Sequence, residues 1–462
     1  MIKTPRTKMR TEDAHTRHQN FLEVALGYSY DEAIAEAKRC IDCKTPKCVM
    51  HCPVNVNIPL FIQQLLEGAL EQSFETIYKD NILPSICGRV CPQESQCEGA
   101  CILGIKHQPV AIGALERFVG DYGREHGLVK PTPKPKTSFK AAIVGSGPAG
   151  LACAAALVTQ GVDVTIYEAL HKFGGVLQYG IPDFRLPKDI VESEVLALKA
   201  QGVKFVKNAV IGKSLTIDQL FEMGYQSIFI GSGAGLPTGM RIPGENLNGV
   251  YFANEFLTRV NLMRARAIPT SHTPVKLGPT VAVVGGGNVA MDAARTAKRL
   301  GAQRVLIIYR RDETSLPARL DEVHHAKDEG IEFHLLRNPV ELIGENHEVK
   351  RVKVEIMTLG EPDDSGRRRP VGTKTYKTFD IDTLIMAIGQ KPNPILKDNT
   401  AHLNTASWGG ILTDERHQTS IPHVYAGGDV VSGAATVILA MGTGKEAARY
   451  MLEDMRQQSH TI

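Results

Sequence analysis

Two stretches of the chain repeat one plan. AAIVGSGPAGLACAAALVTQGVDVTIYE begins at Ala141, and TVAVVGGGNVAMDAARTAKRLGAQRVLIIYRR begins at Thr280. Each reads as an apolar strand, a glycine turn, an alanine-rich helix and a second apolar strand. Two strands joined through a helix pair in parallel, and a parallel sheet needs both faces covered. This repeat therefore commits the chain to the α/β class. In the first stretch Gly145, Gly147 and Gly150 stand as G-x-G-x-x-G. The first glycine permits the tight turn, the second lets backbone approach a pyrophosphate, and the third lets helix pack on strand. Ser146, Pro148 and Ala149 fill the positions between, and the helix N-terminus offers free N–H groups to phosphate. In the second stretch Gly285, Gly287 and Ala290 hold the same places, with Gly286, Asn288 and Val289 between them. Alanine is an accepted third residue.

The modules differ where their second strands end. The first ends at Glu168, 23 residues beyond Gly145, where a carboxylate can bind a ribose hydroxyl. The second ends in Tyr309-Arg310-Arg311. Guanidinium groups bind a 2′-phosphate that a carboxylate would repel. The first module thus suits FAD or NAD and the second NADP, unless the two arginines are merely solvated at a strand end. QSIFIGSGA (226–234) and TLIMAIGQKPN (383–393) each read as a buried strand ending in glycine, and they bracket the second module. Beyond them HVYAGGDVVSGAATVILAMGTGKEAARYM reads as strand, Gly-Gly-Asp turn and helix. Asp429 is placed to meet the ribitol or pyrophosphate of a flavin, with a helix starting near Thr436. One nucleotide domain is then inserted into the other.

Eight of the nine cysteines lie between Cys40 and Cys101. The first group is Cys40-x2-Cys43-x4-Cys48-x3-Cys52-Pro53; the second is Cys87-x3-Cys91-Pro92, then Cys97 and Cys101. Such crowding in a chain of 462 residues is not a secreted protein's disulfide framework. Paired short knuckles closing on one ion indicate zinc. Close cysteines followed by Cys-Pro indicate iron–sulfur ligation, with the last cysteine serving the other cluster. Iron–sulfur clusters, zinc and plain buried thiols all remain open on spacing alone. Residues 1 to about 128 read as mostly helical, with Asp31 as a helix cap. VKPTPKPKTSFK, with Pro131, Pro133 and Pro135, reads as an extended linker. The charge balance, 53 basic against 50 acidic residues, gives no general affinity for nucleic acid or anionic membrane. No apolar run reaches the ~20 residues of a membrane span. The opening MIKTPRTKMRTEDAHTRHQNF lacks a signal peptide's apolar core, so the expected location is cytoplasmic.

CIDCKTPKCVMHCPV, LPSICGRVCPQESQCEGAC, PVAIGALERF, GGVLQYGIPDFRLPK, the YRR strand end and YAGGD occur in this order along nearly the whole chain. In that order they resemble the NADPH-dependent glutamate synthase small (beta) subunit family. Its relatives are the flavoprotein subunit of NADH-dependent ferredoxin:NADP oxidoreductase (transhydrogenase) and the N-terminal half of dihydropyrimidine dehydrogenase. The resemblance implies an α-helical domain with two [4Fe-4S] clusters, then two Rossmann-like domains, the NADP domain inserted into the FAD domain. The implied bounds are 1–135, 136–240, 241–384 and 385–462. It implies Cys40, Cys43, Cys48 and Cys101 as ligands of one cluster. Cys52, Cys91, Cys97 and Glu116 are implied for the other, with Cys87 a bystander. FAD is implied at Gly145 through Gly150, Glu168, Gly174, Gly175, Arg185, Gly428, Asp429, Thr436 and Val437. NADP is implied at Gly286, Gly287, Asn288, Val289, Arg310 and Arg311, with Ala387, Ile388 and Gly389 near the nicotinamide.

The implied chemistry passes electrons from NADPH through FAD and the clusters, in either direction, without an acid–base residue. No C-x4-C pair follows the first glycine turn, which argues against a redox disulfide. Cys153 reads as a small core residue, and the adjacent His324 and His325 as solvated. There is no N-terminal nucleophilic cysteine and no length for a further FMN barrel of ~250 residues. The chain is therefore expected not to make glutamate by itself but to serve a redox partner. That partner is either the glutamate synthase large subunit or, in a transhydrogenase-type complex, a small flavoprotein with a [2Fe-2S] centre. A zinc-stabilised nucleotide-binding scaffold is the non-enzymatic alternative.

Overall fold

The structure is a computed structural model that describes residues 5–129, 134–267, 271, 273–362 and 366–459. Pro131 and Pro133 of the expected linker lie outside the described residues.

The first sheet is built on the first glycine module. Its five parallel strands run in the order Val424–Ala426, Ser227–Ile230, Lys140–Val144, Asp163–Tyr167 and Lys204–Val206. The second sheet is also five-stranded and parallel: Glu332–Leu335, Arg304–Tyr309, Thr280–Val284, Thr383–Met386 and Val250–Phe252. Between them the outgoing and returning chains pair as a short antiparallel ribbon, Leu236–Pro237 against Gln390–Lys391. The NADP-type domain is thus inserted into the FAD-type domain through two adjacent crossings. The strand Thr383–Met386 belongs wholly to the second sheet, because it pairs with Thr280–Val284 and Val250–Phe252. The return therefore comes later than a boundary at 384/385.

A three-stranded antiparallel meander, Arg337–Glu345, Glu348–Pro362 and Arg368–Asp380, was not anticipated. It lays Leu342, Val349, Val352, Val354 and Phe379 on one face of the second sheet. Helices Ala253–Asn261, Asn288–Arg299 and Leu320–Asp328 cover the opposite face.

The N-terminal region is helical, as its periodicity requires: Tyr30–Ala37, Ile58–Leu66, Leu70–Tyr78, Pro84–Val90 and Ile112–Glu125. Ser29, not Asp31, caps the first of these. Its side chain accepts from Glu32 N while Glu32 reaches back to Ser29 N, which leaves Asp31 in the first turn. Ile58–Leu66 and Leu70–Tyr78 are two helices because Gly68, at φ +75°, turns the chain between them. This region is not a pendant. Phe61, Ile62, Leu65 and Ile86 share one continuous core with Leu151, Ala154, Met441 and Met451 of the first Rossmann domain. Cys153 is fully buried there, its sulfur 3.7 Å from that of Met451, a core residue as expected.

Candidate functional site

At the first turn Gly145 adopts φ +101°, and an added Cβ would meet Gly231 O at 2.5 Å. A Cβ on Gly150 would collide with Gly145 O, whereas a Cβ on Gly147 would meet nothing within 4 Å. Two glycines are thus required by the protein's own backbone, and the third leaves open space in front of the helix Pro148–Val158. Glu168 is buried and accepts from Ser146 N (3.0 Å), Ser146 Oγ (2.5 Å) and Leu170 N (2.9 Å). Ser146 Oγ also accepts from Gly174 N at 3.0 Å, and Gly174 and Gly175 both have positive φ. The carboxylate therefore braces the turn it adjoins.

Opposite this turn, Gly428 at φ +72° donates its N–H to Thr443 Oγ1 (2.8 Å), and Asp429 accepts from Ala435 N (3.2 Å). Burial raises the Asp429 carboxyl above its ordinary value. Thr436 Oγ1 accepts from Leu439 N (3.3 Å) where the helix Val437–Ser459 begins. Burial, with the charges of Asp429 and Glu168 adding, lifts the Tyr179 hydroxyl to about 12.

Arg185, expected at the flavin, is held by carboxylates of the second nucleotide domain. Its Nη1 donates to both Asp292 oxygens (2.7 and 2.9 Å), and its Nε is 3.3 Å from Glu322. The side chain forms a buried ion pair between the two nucleotide domains. The cluster extends through Arg295 to Glu322 and Glu329, through Arg299 to Glu329 and through Arg17 to Glu329. Arg295 and Arg299 stack on Phe184. Burial alone would raise Glu322 and Glu329, but the surrounding guanidiniums pull both down to about 2. His325, expected in solvent, is half-buried beside this cluster; burial and Arg295 lower it to about 4. His324 is exposed.

At the second turn Gly285 has φ +144° with Ala387 O closing on it, and Gly286 lies under the Tyr309 ring. A Cβ on Gly287 would meet only Pro317, at 3.9 Å. Gly287 caps the helix Asn288–Arg299. Val289 and Ile388 are large apolar side chains left 39% and 40% exposed at this turn and at the facing strand end. Gly389 follows at φ +121° in open space. The two arginines part: Arg310 is exposed, while Arg311 is buried and donates Nε to Arg368 O at 3.0 Å. Asn288 Oδ1 accepts from Arg319 N (3.0 Å). The Arg319 guanidinium then crosses to the cysteine domain, where it donates to Arg89 O and Gln93 Oε1, both at 2.8 Å, on either side of Cys91.

None of the nine cysteines is joined in a disulfide. Cys40, Cys43, Cys48 and Cys101 line one cavity, together with Ile58, Ile62 and Ile112. A buried pair holds its two walls together. Glu36 binds Arg39 (2.6 Å), Ala111 N (2.8 Å) and Thr7 N (2.7 Å), and Arg39 donates to Gln108 O and Pro109 O. Burial pushes Cys48 up to about 11 and raises Cys40.

Cys52, Cys91 and Cys97 lie within electrostatic reach of Glu116. Burial first, then the charge of Glu116, pushes Cys52 up to about 11. Cys97 is raised by burial, Glu98 and Glu116. The Glu116 carboxyl, buried against Asn81 Nδ2 (2.7 Å), rises to about 7. Cys87 Sγ donates to Asn81 Oδ1 (3.6 Å) and lies 3.7 Å from Met441 Sδ. Among the described residues no three His, Cys, Asp or Glu side chains are gathered so as to hold a single metal ion. The first four thiols surround a cavity rather than a point. No described helix is long and apolar enough to cross a membrane.

Known proteins divide the chain along the same lines. Residues 17–128 match the family described as dihydropyrimidine dehydrogenase domain II, 4Fe-4S cluster, and residues 139–444 match pyridine nucleotide-disulphide oxidoreductase. Over 95% of its length the chain is 36% identical to the glutamate synthase [NADPH] small chain of Halomonas elongata, covering 94% of that protein. Over 89% of its length it is 38% identical to the NADP(+)-dependent formate dehydrogenase subunit beta of Moorella thermoacetica, covering 60% of that longer protein. Among solved structures, Mycobacterium tuberculosis FprA in complex with NADPH superposes with a TM-score of 0.59 at 20% identity. The match spans 71% of this chain and 86% of FprA, a likeness of fold. Two braced glycine turns, one insertion and one thiol-rich helical domain, matched end to end at this identity, make the chain a member of the pyridine nucleotide-disulphide oxidoreductases. Within them it is an NADPH-dependent flavin and iron–sulfur oxidoreductase of the glutamate synthase small-chain family.

Proposed function

We propose that this chain takes reducing equivalents from NADPH at the second glycine turn and delivers them, by way of FAD and two [4Fe-4S] clusters, to a partner subunit. The observation that carries this reading is where the second cysteine group lies. A Cβ on Gly442, in the helix that opens at Thr436 opposite the first turn, would stand 3.2 Å from Pro53 O. The Cys52-Pro53 loop is thus packed on the helix that faces the flavin site. When bound, FAD supplies the conversion between a two-electron donor and one-electron carriers.

The residues do the binding. Gly145 through Gly150 and Val437 present backbone to FAD phosphates, with Glu168 and Asp429 toward its ribose and ribitol. Gly286, Gly287, Asn288 and Val289 do the same for NADPH, with Arg310 and Arg311 at the 2′-phosphate and Ala387 to Gly389 near the nicotinamide. Cys40, Cys43, Cys48 and Cys101 hold the outer cluster; Cys52, Cys91, Cys97 and Glu116 hold the inner one, with Cys87 beside it. The units are 1–135 for the clusters, 136–240 with the C-terminal segment for FAD, and the insertion for NADP. The setting is cytoplasmic, and the partner is a glutamate synthase large subunit.

A second reading, a transhydrogenase-type or other electron-distributing complex, has the support that a relative named above is a subunit of a formate dehydrogenase. Oxygen-free purification tests the first step: iron and acid-labile sulfide for two clusters, with flavin, support the proposal, and zinc in their place overturns it. Co-purification separates the partners. A large glutamine-hydrolysing chain selects the first reading and a small [2Fe-2S] flavoprotein the second.

A further inference from the structure

The mouth of the cavity lined by Cys40, Cys43, Cys48 and Cys101 is unlike the rest of the cysteine domain's surface. Ile41 and Ile102 line the cavity and are 49% and 37% exposed. Met50, on the short helix Lys47–Met50 that carries Cys48, is 69% exposed. Ile105, on the turn following Cys101, is 76% exposed. Four large apolar side chains left in water within a few residues of four thiols are a concentration that single exposed hydrophobics do not explain.

The segments that carry these residues, 38–51 and 101–107, also expose Lys38, Lys44, Lys47, His51, Lys106 and His107, and one acid, Asp42. None of the four lysines has an ion pair among the described residues. The whole chain is nearly neutral, +3 from 53 basic and 50 acidic residues. The local excess of positive charge is therefore a property of this patch. An apolar centre inside a charged rim is the anatomy of a protein interface, and like-signed rim charges steer an oppositely charged partner.

We infer that this face is the docking surface for a redox protein whose own centre lies beneath an apolar spot ringed by Asp and Glu. This rests on the iron–sulfur reading of the proposed function and adds the chemistry of the partner. The apolar contact brings the two centres to their closest approach, and the basic rim sets orientation and encounter rate. Such encounters bury little area and are sensitive to salt.

The test uses the intact, cluster-loaded protein with three probes: an acidic plant-type [2Fe-2S] ferredoxin, basic cytochrome c, and phosphatidylserine vesicles. Binding is measured by calorimetry at low and high salt. Iron, sulfide and flavin contents are checked first for every variant. The ferredoxin is expected to bind and to weaken steeply with salt. The pair Lys44→Glu and Lys106→Glu is expected to cost it roughly tenfold, the scale of a few rim charges, and to admit cytochrome c. Met50→Glu, which leaves the lysines in place, is expected to weaken the ferredoxin as well. Ferredoxin binding that is absent, or unchanged by both sets of variants, overturns the inference while leaving the cluster reading intact. So does patch-dependent binding to the vesicles in place of the ferredoxin. Zinc in place of iron removes the cluster reading itself and the inference with it.

Discussion

The two glycine turns share a backbone and differ in what holds them. The first is closed from within its own domain: Glu168 and Ser146 tie the turn, Gly174 and the next strand together, and Gly150 touches Gly145 O. The second is held from outside. Its helix is clamped by Arg185 of the other domain on Asp292, and its first residue, Asn288, holds Arg319, whose side chain lies in the cysteine domain. A motif read as one chemistry thus serves a rigid seat in one domain and a cross-braced seat in the other. The turn fixes the ligand class, and the bracing is set by residues far away in the chain.

This contrast can be broken in several places. The largest effect is expected at the third position of the motif. Gly150→Ala drives a methyl group into Gly145 O, so the purified protein should lose its flavin absorbance. Ala290→Gly at the equivalent place in the second turn should cost only about 1 kcal/mol of helix stability, read as a small fall in Tm. Next comes Arg185→Ala, which strands Asp292 in a buried site. Removing one partner of a buried pair costs ~3–5 kcal/mol, and chemical denaturation should detect it. Arg185 acting mainly as a flavin contact would instead lower flavin affinity with little change in stability.

Arg310→Ala removes an exposed guanidinium from the strand end. Loss of a charge-assisted phosphate contact is worth ~1.5–3 kcal/mol. The KM for NADPH should therefore rise roughly ten- to a hundred-fold with little change for NADH; equal effects on both coenzymes would remove the 2′-phosphate assignment.

Acid should separate the two seats most gently. Glu322 and Glu329 are held at about 2, below the ordinary carboxylate value of 4.5. Their stabilisation is complete above that ordinary value and fades as pH falls from there toward 2. Hydrogen exchange should accordingly rise in Asn288–Arg299 before it rises in Pro148–Val158.

The fold class was legible because its signals are local. Each glycine turn, flanking strand and helix lies within about thirty residues, and the two buried strands ending in glycine marked the insertion. The meander 337–380 was not, because its apolar residues alternate only on the face that meets the second sheet, while most of Arg368–Asp380 is exposed. The ion pairs of Arg185 were hidden for a related reason. A charged residue between Phe184 and Leu186 signals a buried polar task, but its partners Asp292 and Glu322 lie more than a hundred residues on. The Arg319 bridge to Gln93 spans 226 residues, and nothing near either residue announces it. The four thiols of the first cavity were grouped by motif, and the fold gathers them around one space.

The core that joins Phe61 and Ile86 to Leu151 and Met451 has a bearing on timing. A carrier domain swinging on a tether must wait for each diffusive return before it can hand on its charge. Here the thiol-bearing helices are welded to the floor of the first nucleotide domain by shared apolar packing. The distance from the thiol groups to the first glycine turn is thus set once, when the polypeptide folds.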